Sequence, residues 1–143
     1  MTDDIIMRAM EETDIDTVIS FWKAVFRPES SAVKETPEIM SRYLKRNPGL
    51  STVACDAQGR LIGTLLCGHD GRRGSIFHVA VDPTYRRRRI ADRMQQRALD
   101  ALRAEGIDSV YLLVTSRNPG SQEFWLSVGW EIRPDVRYLA RQL

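Results

Sequence analysis

The order of apolar runs predicts an α/β (α+β) protein with a mixed sheet and helices on both of its faces. Three strand-like runs, Ser51 to Cys55, Leu61 to Gly68 and Ser75 to Val81, follow one another across short turns that carry glycine. That pattern makes an antiparallel meander. After Pro83 the apolar period lengthens to that of a long helix, and Val110 to Thr115 then returns to a strand-like run. The helix thus supplies the crossover that brings in a parallel strand. With 143 residues, 43% of them hydrophobic, the chain can bury a core but leaves little room for a second domain. Residues 1–143 are therefore expected to form one domain.

Each element has a local reason. Ile5 to Met10 is a short apolar run suited to a first strand. Thr13 offers a cap to the following helix, Asp16 falls in its first turn, and Ile15, Val18, Ile19, Trp22, Val25 and Phe26 recur at helical spacing. Pro28 ends that pattern, and a polar connection, expected to be mobile, leads onward. Thr36 then caps a second short helix with Pro37 at its first position and Ile39, Met40, Tyr43 and Leu44 on its apolar face, stopped by Asn47-Pro48-Gly49. In the long helix Ile90, Ala91, Met94, Ala98, Ala101 and Leu102 trace one face up to Gly106. Pro119 to Ser127 predicts a shorter helix, and Trp130 onward predicts two last strands separated near Pro134 and Asp135.

Composition narrows the function classes. Net charge is only +2, no apolar run approaches the roughly 18–20 residues that span a bilayer, and the start at Asp3 and Asp4 lacks the order of a secretory signal. The expected setting is the cytoplasm, without a membrane partner. Cys55 and Cys67 flank the turn near Gln58 and Gly59, where antiparallel pairing sets Cys55 opposite Ile62 and Cys67 opposite Leu50. At about 3.3 Å per residue the sulfurs stand roughly 15 Å apart, too far for a disulfide, so both read as small buried side chains. His69 and His78 stand without a cluster of metal-ligand spacing, so no metal is expected.

The charge is unevenly placed. Residues 1–71 hold 8 basic and 11 acidic side chains, residues 72–143 hold 13 and 8, and 18 of the 21 basic residues are arginine. Four of them, Arg86, Arg87, Arg88 and Arg89, sit where a strand passes into the long helix. The first N–H groups of a helix lack internal partners and its dipole favours negative charge, so an anion there could receive both backbone and guanidinium hydrogen bonds. Local charge alone leaves a solvated basic turn, a phosphate-bearing cofactor and nucleic acid open. Nucleic acid is the least expected, because zinc spacing and basic–aromatic repeats are both missing.

Arg86-Arg87-Arg88-Arg89-Ile90-Ala91 resembles the acyl-CoA-binding signature of the GCN5-related N-acetyltransferase (GNAT) superfamily, Arg/Gln-x-x-Gly-x-Gly/Ala, with Arg89 in place of the central glycine. Nearly the whole chain shares the likeness. Met7-Arg8-Ala9 with Glu12-Thr13-Asp14 is similar to the first strand and helix entry, Val79 to Pro83 to the Val-Ala-Val-x-Pro lead-in, and Asn118, Phe124, Trp125, Gly129 and Trp130 to the distal segment. The resemblance implies a single-domain fold with a strongly twisted sheet and splayed central parallel strands. It implies acetyl-CoA as cosubstrate, with the thioester arm on the backbone of Val79, Ala80 and Val81 and the pyrophosphate on Arg86, Arg87, Arg88, Arg89, Ile90 and Ala91, Arg89 pointing its side chain outward. Asn118 and Trp125 would lie near the cofactor arm.

Transfer from thioester to amine needs an uncharged amine, donors for the developing oxyanion and a route for a proton. His78, with an ordinary pKa near 6.5 and a place just before Val79, is the first candidate base; His69 has a weaker claim. The family's usual tyrosine acid aligns with Trp125, whose indole cannot donate a proton near neutral pH. Tyr111, Tyr138 and Tyr85 remain as substitutes. The strand Val110 to Val114 resembles that of acetylases of ribosomal-protein N-termini, but Leu113 stands where they carry a glutamate. The expected function is therefore an N-acetyltransferase working by direct attack in a ternary complex on a primary amine of a small molecule, peptide or protein. Trp22, Tyr43, Glu29, Glu35 and Glu38 could shape the acceptor site. The alternative is a catalytically weakened acyl-CoA-binding regulatory module. A monomer or a homodimer is expected.

Overall fold

The computed structural model describes residues 4–143, so Asp3 of the acidic start lies outside the described residues. The described residues divide into two compact units, one running up to Leu113 and the other from Val114 to Leu143. The first holds strands β1 (Ile6–Ala9), β2 (Thr52–Cys55), β3 (Leu61–His69), β4 (Gly74–Val81) and β5 (Val110–Leu112), and helices α1 (Ile15–Val25), α2 (Pro37–Arg46) and α3 (Ile90–Ala104). Its mixed five-stranded sheet runs β1-β2-β3-β4-β5, antiparallel up to β4, with β4 and β5 parallel as the crossover through α3 requires.

Helices cover both faces. On one, Val18, Ile19 and Trp22 of α1 and Met40 and Leu44 of α2 pack with Val53, Cys55, Leu66 and Ala80 of the sheet. On the other, α3 lies so close that a Cβ on Gly63 would stand 3.3 Å from Ile90 and Met94, and one on Gly74 would stand 2.6 Å from Leu102. Small residues on the strands thus set the depth at which α3 seats, and with it the position of the helix start. Trp22, Met40 and Met94 are fully buried, each contributing on the order of 2–3 kcal/mol through removal of apolar surface from water.

Several local expectations change. Thr13 does not cap α1: a short 3-10 turn covers Glu12–Asp14, and the Asp14 carboxylate accepts from the Glu11 N–H at 2.8 Å and from both guanidinium branches of Arg8 at 2.7 and 2.8 Å. Those contacts hold the Asp14 carboxyl below the usual carboxylate range, the Arg8 hydrogen bond first among them. The polar connection between α1 and α2 contains a 3-10 turn, Ser31–Lys34, with Ala32 buried and Ser30 accepting from its N–H. Thr36 does cap α2, its hydroxyl oxygen accepting from Ile39 N–H at 3.2 Å. A register shift between Ala54 and Cys55 sets Cys55 opposite Leu61 rather than Ile62. Both thiols are buried and free, and desolvation pushes the Cys67 thiol up to about 12.

The second unit contains α4 (Pro119–Ser127), capped by the Asn118 side chain, which accepts from Ser121 N–H at 3.1 Å. Trp125 is buried and stacks edge-on with Phe124 and Trp130, at 4.9 and 5.6 Å between centroids. The two last strands expected from Trp130 onward do not form: the segment shows only a turn, with Val136 N–H donating to Arg133 O at 3.5 Å. Alternating side chains propose a strand, but a strand exists only as part of a ladder, and Pro134 has no N–H to give one. Strand β5 likewise stops at Leu112 rather than Thr115. Among the described residues no helix is long and apolar enough to cross a membrane.

Candidate functional site

The site begins where β4 loses its neighbour. Its ladder with β5 covers Gly74, Ser75 and Ile76, paired with Val110, Tyr111 and Leu112. Beyond Ile76, β4 continues to Val81 with β3 on one side and no β5 ladder on the other. The two parallel strands therefore part at mid-length, as the resemblance implied. On that unpaired edge stand Val79, Ala80 and Val81.

The same half of β4 carries a bulge. Leu66 pairs with Phe77 but Thr64 with Ala80, so an extra residue is inserted opposite Leu65, and His78 takes a left-handed backbone, φ 52°. A non-glycine residue there costs on the order of 1–2 kcal/mol. A buried relay offsets it: Trp22 Nε1–H donates to Thr64 Oγ1 at 2.8 Å, and the Thr64 hydroxyl donates to the His78 carbonyl at 3.1 Å. The bulge turns the imidazole among Trp22, Phe26 and Phe77, centroids 5.0, 6.4 and 6.3 Å away. There its Nε2 meets Glu35 Oε2 at 3.1 Å.

Past Val81 the chain is steered by Asp82. Its carboxylate accepts from Thr84 N–H at 2.9 Å, from the Thr84 hydroxyl at 2.8 Å and from Arg60 Nη2 at 3.0 Å, while Asp82 N–H donates to Ile62 O at 2.8 Å. The Thr84 N–H bond leads in holding the Asp82 carboxyl below its ordinary range. A 3-10 turn, Pro83–Tyr85, then delivers the arginines. Arg87 and Arg89 both take left-handed backbones, φ 68° and 59°. Residues 86–88 form the turn and bend that carry the chain into the next helix. Helix α3 starts at Ile90 with no side-chain cap, and its first backbone bond is Arg93 N–H to Arg89 O at 2.9 Å. The N–H groups of Ile90, Ala91 and Asp92 precede that ladder.

Arginine in place of the usual glycine is accommodated. The Arg89 backbone adopts the left-handed conformation a glycine would, and its side chain, 81% exposed, pairs outward with Asp92 at 2.9 Å. Arg88 lies over the Tyr85 ring at 5.2 Å, and Arg86 and Arg87 are exposed. The turn can therefore present guanidinium groups and backbone N–H groups together to a diphosphate.

Other candidates are placed as follows. Tyr111 is half exposed on β5, its ring edge-on to Phe77 at 6.4 Å. Leu113 is half exposed, and His69 pairs with Glu105 at 2.8 Å and accepts from Gly71 N–H at 2.9 Å. Asn118, Trp125 and Tyr138 belong to the second unit: Asn118 is the cap of α4, Trp125 sits in the aromatic cluster, and Tyr138 is 74% exposed. Thr64, Asp82, Arg60 and Asp92 escaped sequence reasoning. Only Asp82-Pro83-Thr84 carried a local signal, since an Asp two residues before a free N–H favours this turn. Among the described residues no group of acidic, histidine or cysteine side chains is arranged to hold a metal.

Known proteins share this fold. An acetyltransferase of Sodalis glossinidius is 29% identical over 140 residues, 96% of this chain and 94% of its own length. A predicted acetyltransferase of Clostridium acetobutylicum, solved with acetyl-CoA, superposes with a TM-score of 0.75 at 18% identity, covering 95% of this chain and 96% of its own. The PaiA N-acetyltransferase of Thermoplasma acidophilum, solved with coenzyme A, also gives 0.75 at 18% identity, covering 93% and 92%. The sequence pattern of the Acetyltransferase (GNAT) family matches residues 15–130, and with the parted strands already in place the chain belongs to the GNAT acetyltransferase family.

Proposed function

We propose that residues 1–143 act as one acetyl-CoA-dependent N-acetyltransferase, moving the acetyl group to a primary amine of a small molecule, peptide or protein by direct attack in a ternary complex. The observation that carries this is the continuity of β4: its unpaired half, Phe77 to Val81, runs through the Asp82 turn into the arginine turn and the uncapped start of α3. An extended thioester arm fits along the free backbone of Val79 and Val81, and a diphosphate fits the N–H groups and guanidinium groups from Arg86 to Ala91. The coenzyme A and acetyl-CoA bound by the two solved neighbours support the same cosubstrate.

In this reading the enzyme works chiefly by placement. Holding thioester and amine in attack geometry replaces a bimolecular encounter with a step inside the complex. The amine nitrogen attacks the thioester carbon, the carbon–sulfur bond breaks, and the electron pair leaves on sulfur. His78 accepts the surplus proton of the attacking nitrogen. The roles expected of Asn118 and Trp125 near the cofactor arm rest on the resemblance alone, and Tyr111 and Tyr138 remain proposals for the proton that reaches the thiolate.

A turnover screen with acetyl-CoA against polyamines, amino acids, aminoglycosides and peptide N-termini, with product masses measured, tests the proposal. Amine-dependent release of coenzyme A with an acetylated product is expected. Tight acetyl-CoA binding without turnover across such a panel would point instead to the regulatory module.

A further inference from the structure

Glu35 offers the strongest unabsorbed geometry in the molecule. It follows the 3-10 turn Ser31–Lys34, far in sequence from β4, yet its carboxylate reaches His78 Nε2 at 3.1 Å, with the two side chains only 23% and 14% exposed. A carboxylate can only accept. The Nε2 atom therefore carries the imidazole proton, and in the neutral ring Nδ1 carries the lone pair. Nδ1 makes no hydrogen bond among the described residues, and it is not among their buried unpartnered polar atoms. It is the nitrogen left available to a reacting group.

We propose that Glu35 is a positioning residue for acetyl transfer, fixing the tautomer of His78 so that Nδ1 is the atom that takes the amine proton. The inference rests on His78 serving as the base. As the carbon–nitrogen bond forms and the carbon–sulfur bond breaks, the surplus N–H proton passes to Nδ1. The resulting imidazolium stands against the Glu35 carboxylate, and its proton then leaves to the coenzyme A thiolate or to water, which completes the balance. The edge contact of Trp22 and the bond to Glu35 oppose turning of the ring, while the Thr64 hydroxyl on the His78 carbonyl holds the backbone beneath it. The unusual backbone at His78 then has a use, since regular alternation along β4 would not place Phe77 and His78 on the face that Glu35 reaches.

The test reads the resting protein as well as its turnover. With ¹⁵N-labelled histidine, the native protein is expected to show His78 as the Nε2–H tautomer, Glu35→Gln to retain it because an amide oxygen still accepts, and Glu35→Ala to show a mixture. An Nδ1–H tautomer in the native protein overturns the proposal whatever the activity. For turnover, Glu35→Ala is expected to lower kcat about tenfold or more, within the range of acid–base contributions, with acetyl-CoA affinity unchanged and with Glu35→Gln intermediate. Adding Glu35→Ala to His78→Ala is expected to cost nothing further. Full kcat in Glu35→Ala, with the tautomer lost, also overturns it. Full kcat in His78→Ala strikes the base assignment instead, and the two failures are thereby told apart.

Discussion

Two stretches of the molecule force ordinary side chains into left-handed backbone, and they do so in opposite ways. At His78 the strained residue is enclosed: its carbonyl is bound by Thr64, its ring is bordered by Trp22, Phe26 and Phe77, and its Nε2 meets Glu35. At Arg87 and Arg89 the side chains are exposed, and the backbone itself forms the feature. The first device fixes a side chain, the second presents N–H groups. The same left-handed backbone thus fixes a side chain in one place and leaves donors accessible in the other.

If enclosure is what holds the bulge, its removal should have the largest effect. Thr64→Val leaves the Trp22 indole N–H and the His78 carbonyl without their partner in the interior, a loss of about 2–6 kcal/mol at roughly 1–3 per buried group. Urea unfolding checks it, with Thr64→Ser retaining most of the stability; a loss under about 1 kcal/mol in the valine variant would show that the enclosure does not hold the bulge. At the exposed turn the effect should fall on binding. Arg86→Ala is expected to weaken acetyl-CoA about tenfold by calorimetry, the size of one charge-assisted hydrogen bond, while stability moves by no more than about 0.5 kcal/mol. Unchanged affinity in that variant would reject the phosphate role.

Arg89→Gly should gain about 0.5–1 kcal/mol, because relief of a left-handed arginine outweighs an exposed pair with Asp92 worth a few tenths. Arg89→Ala should show no such gain in thermal melts, since it keeps the strain. The smallest expected effect lies between the two stretches, at Asp82. Its folded carboxyl lies below the ordinary value, so the stabilisation is present above the unfolded carboxyl range and is lost as pH falls through the folded pKa. The Thr84 amide resonance should titrate in that acidic window while the His78 amide, held by neutral groups on its carbonyl side, should not follow it.

Helix boundaries were the most legible part of the chain. Thr36-Pro37 starts α2, Asn47-Pro48-Gly49 ends it, and Asn118-Pro119 starts α4, because a cap or a missing N–H acts within three residues of itself. The arginine turn was legible for the same reason, four arginines adjoining a helix start. Thr64 and the bulge were not, since they depend on a β3–β4 register and on an indole from α1, 42 residues from its partner in sequence. Glu35 was visible as an acidic residue near the expected acceptor surface, but its partner lies 43 residues away. The strand pattern after Trp130 misled, because alternation describes a side-chain preference and a strand also needs a neighbour to bond.

By itself, then, the sequence determined the mixed α/β order, the family and the arginine-rich passage from β4 into α3, all written in local spacing and charge. The tertiary structure alone decided where β5 leaves β4, which nitrogen of His78 meets Glu35, and how an arginine can occupy a glycine's place. Those outcomes depend on hydrogen bonds and packing between segments distant in the chain, and no local propensity encodes them.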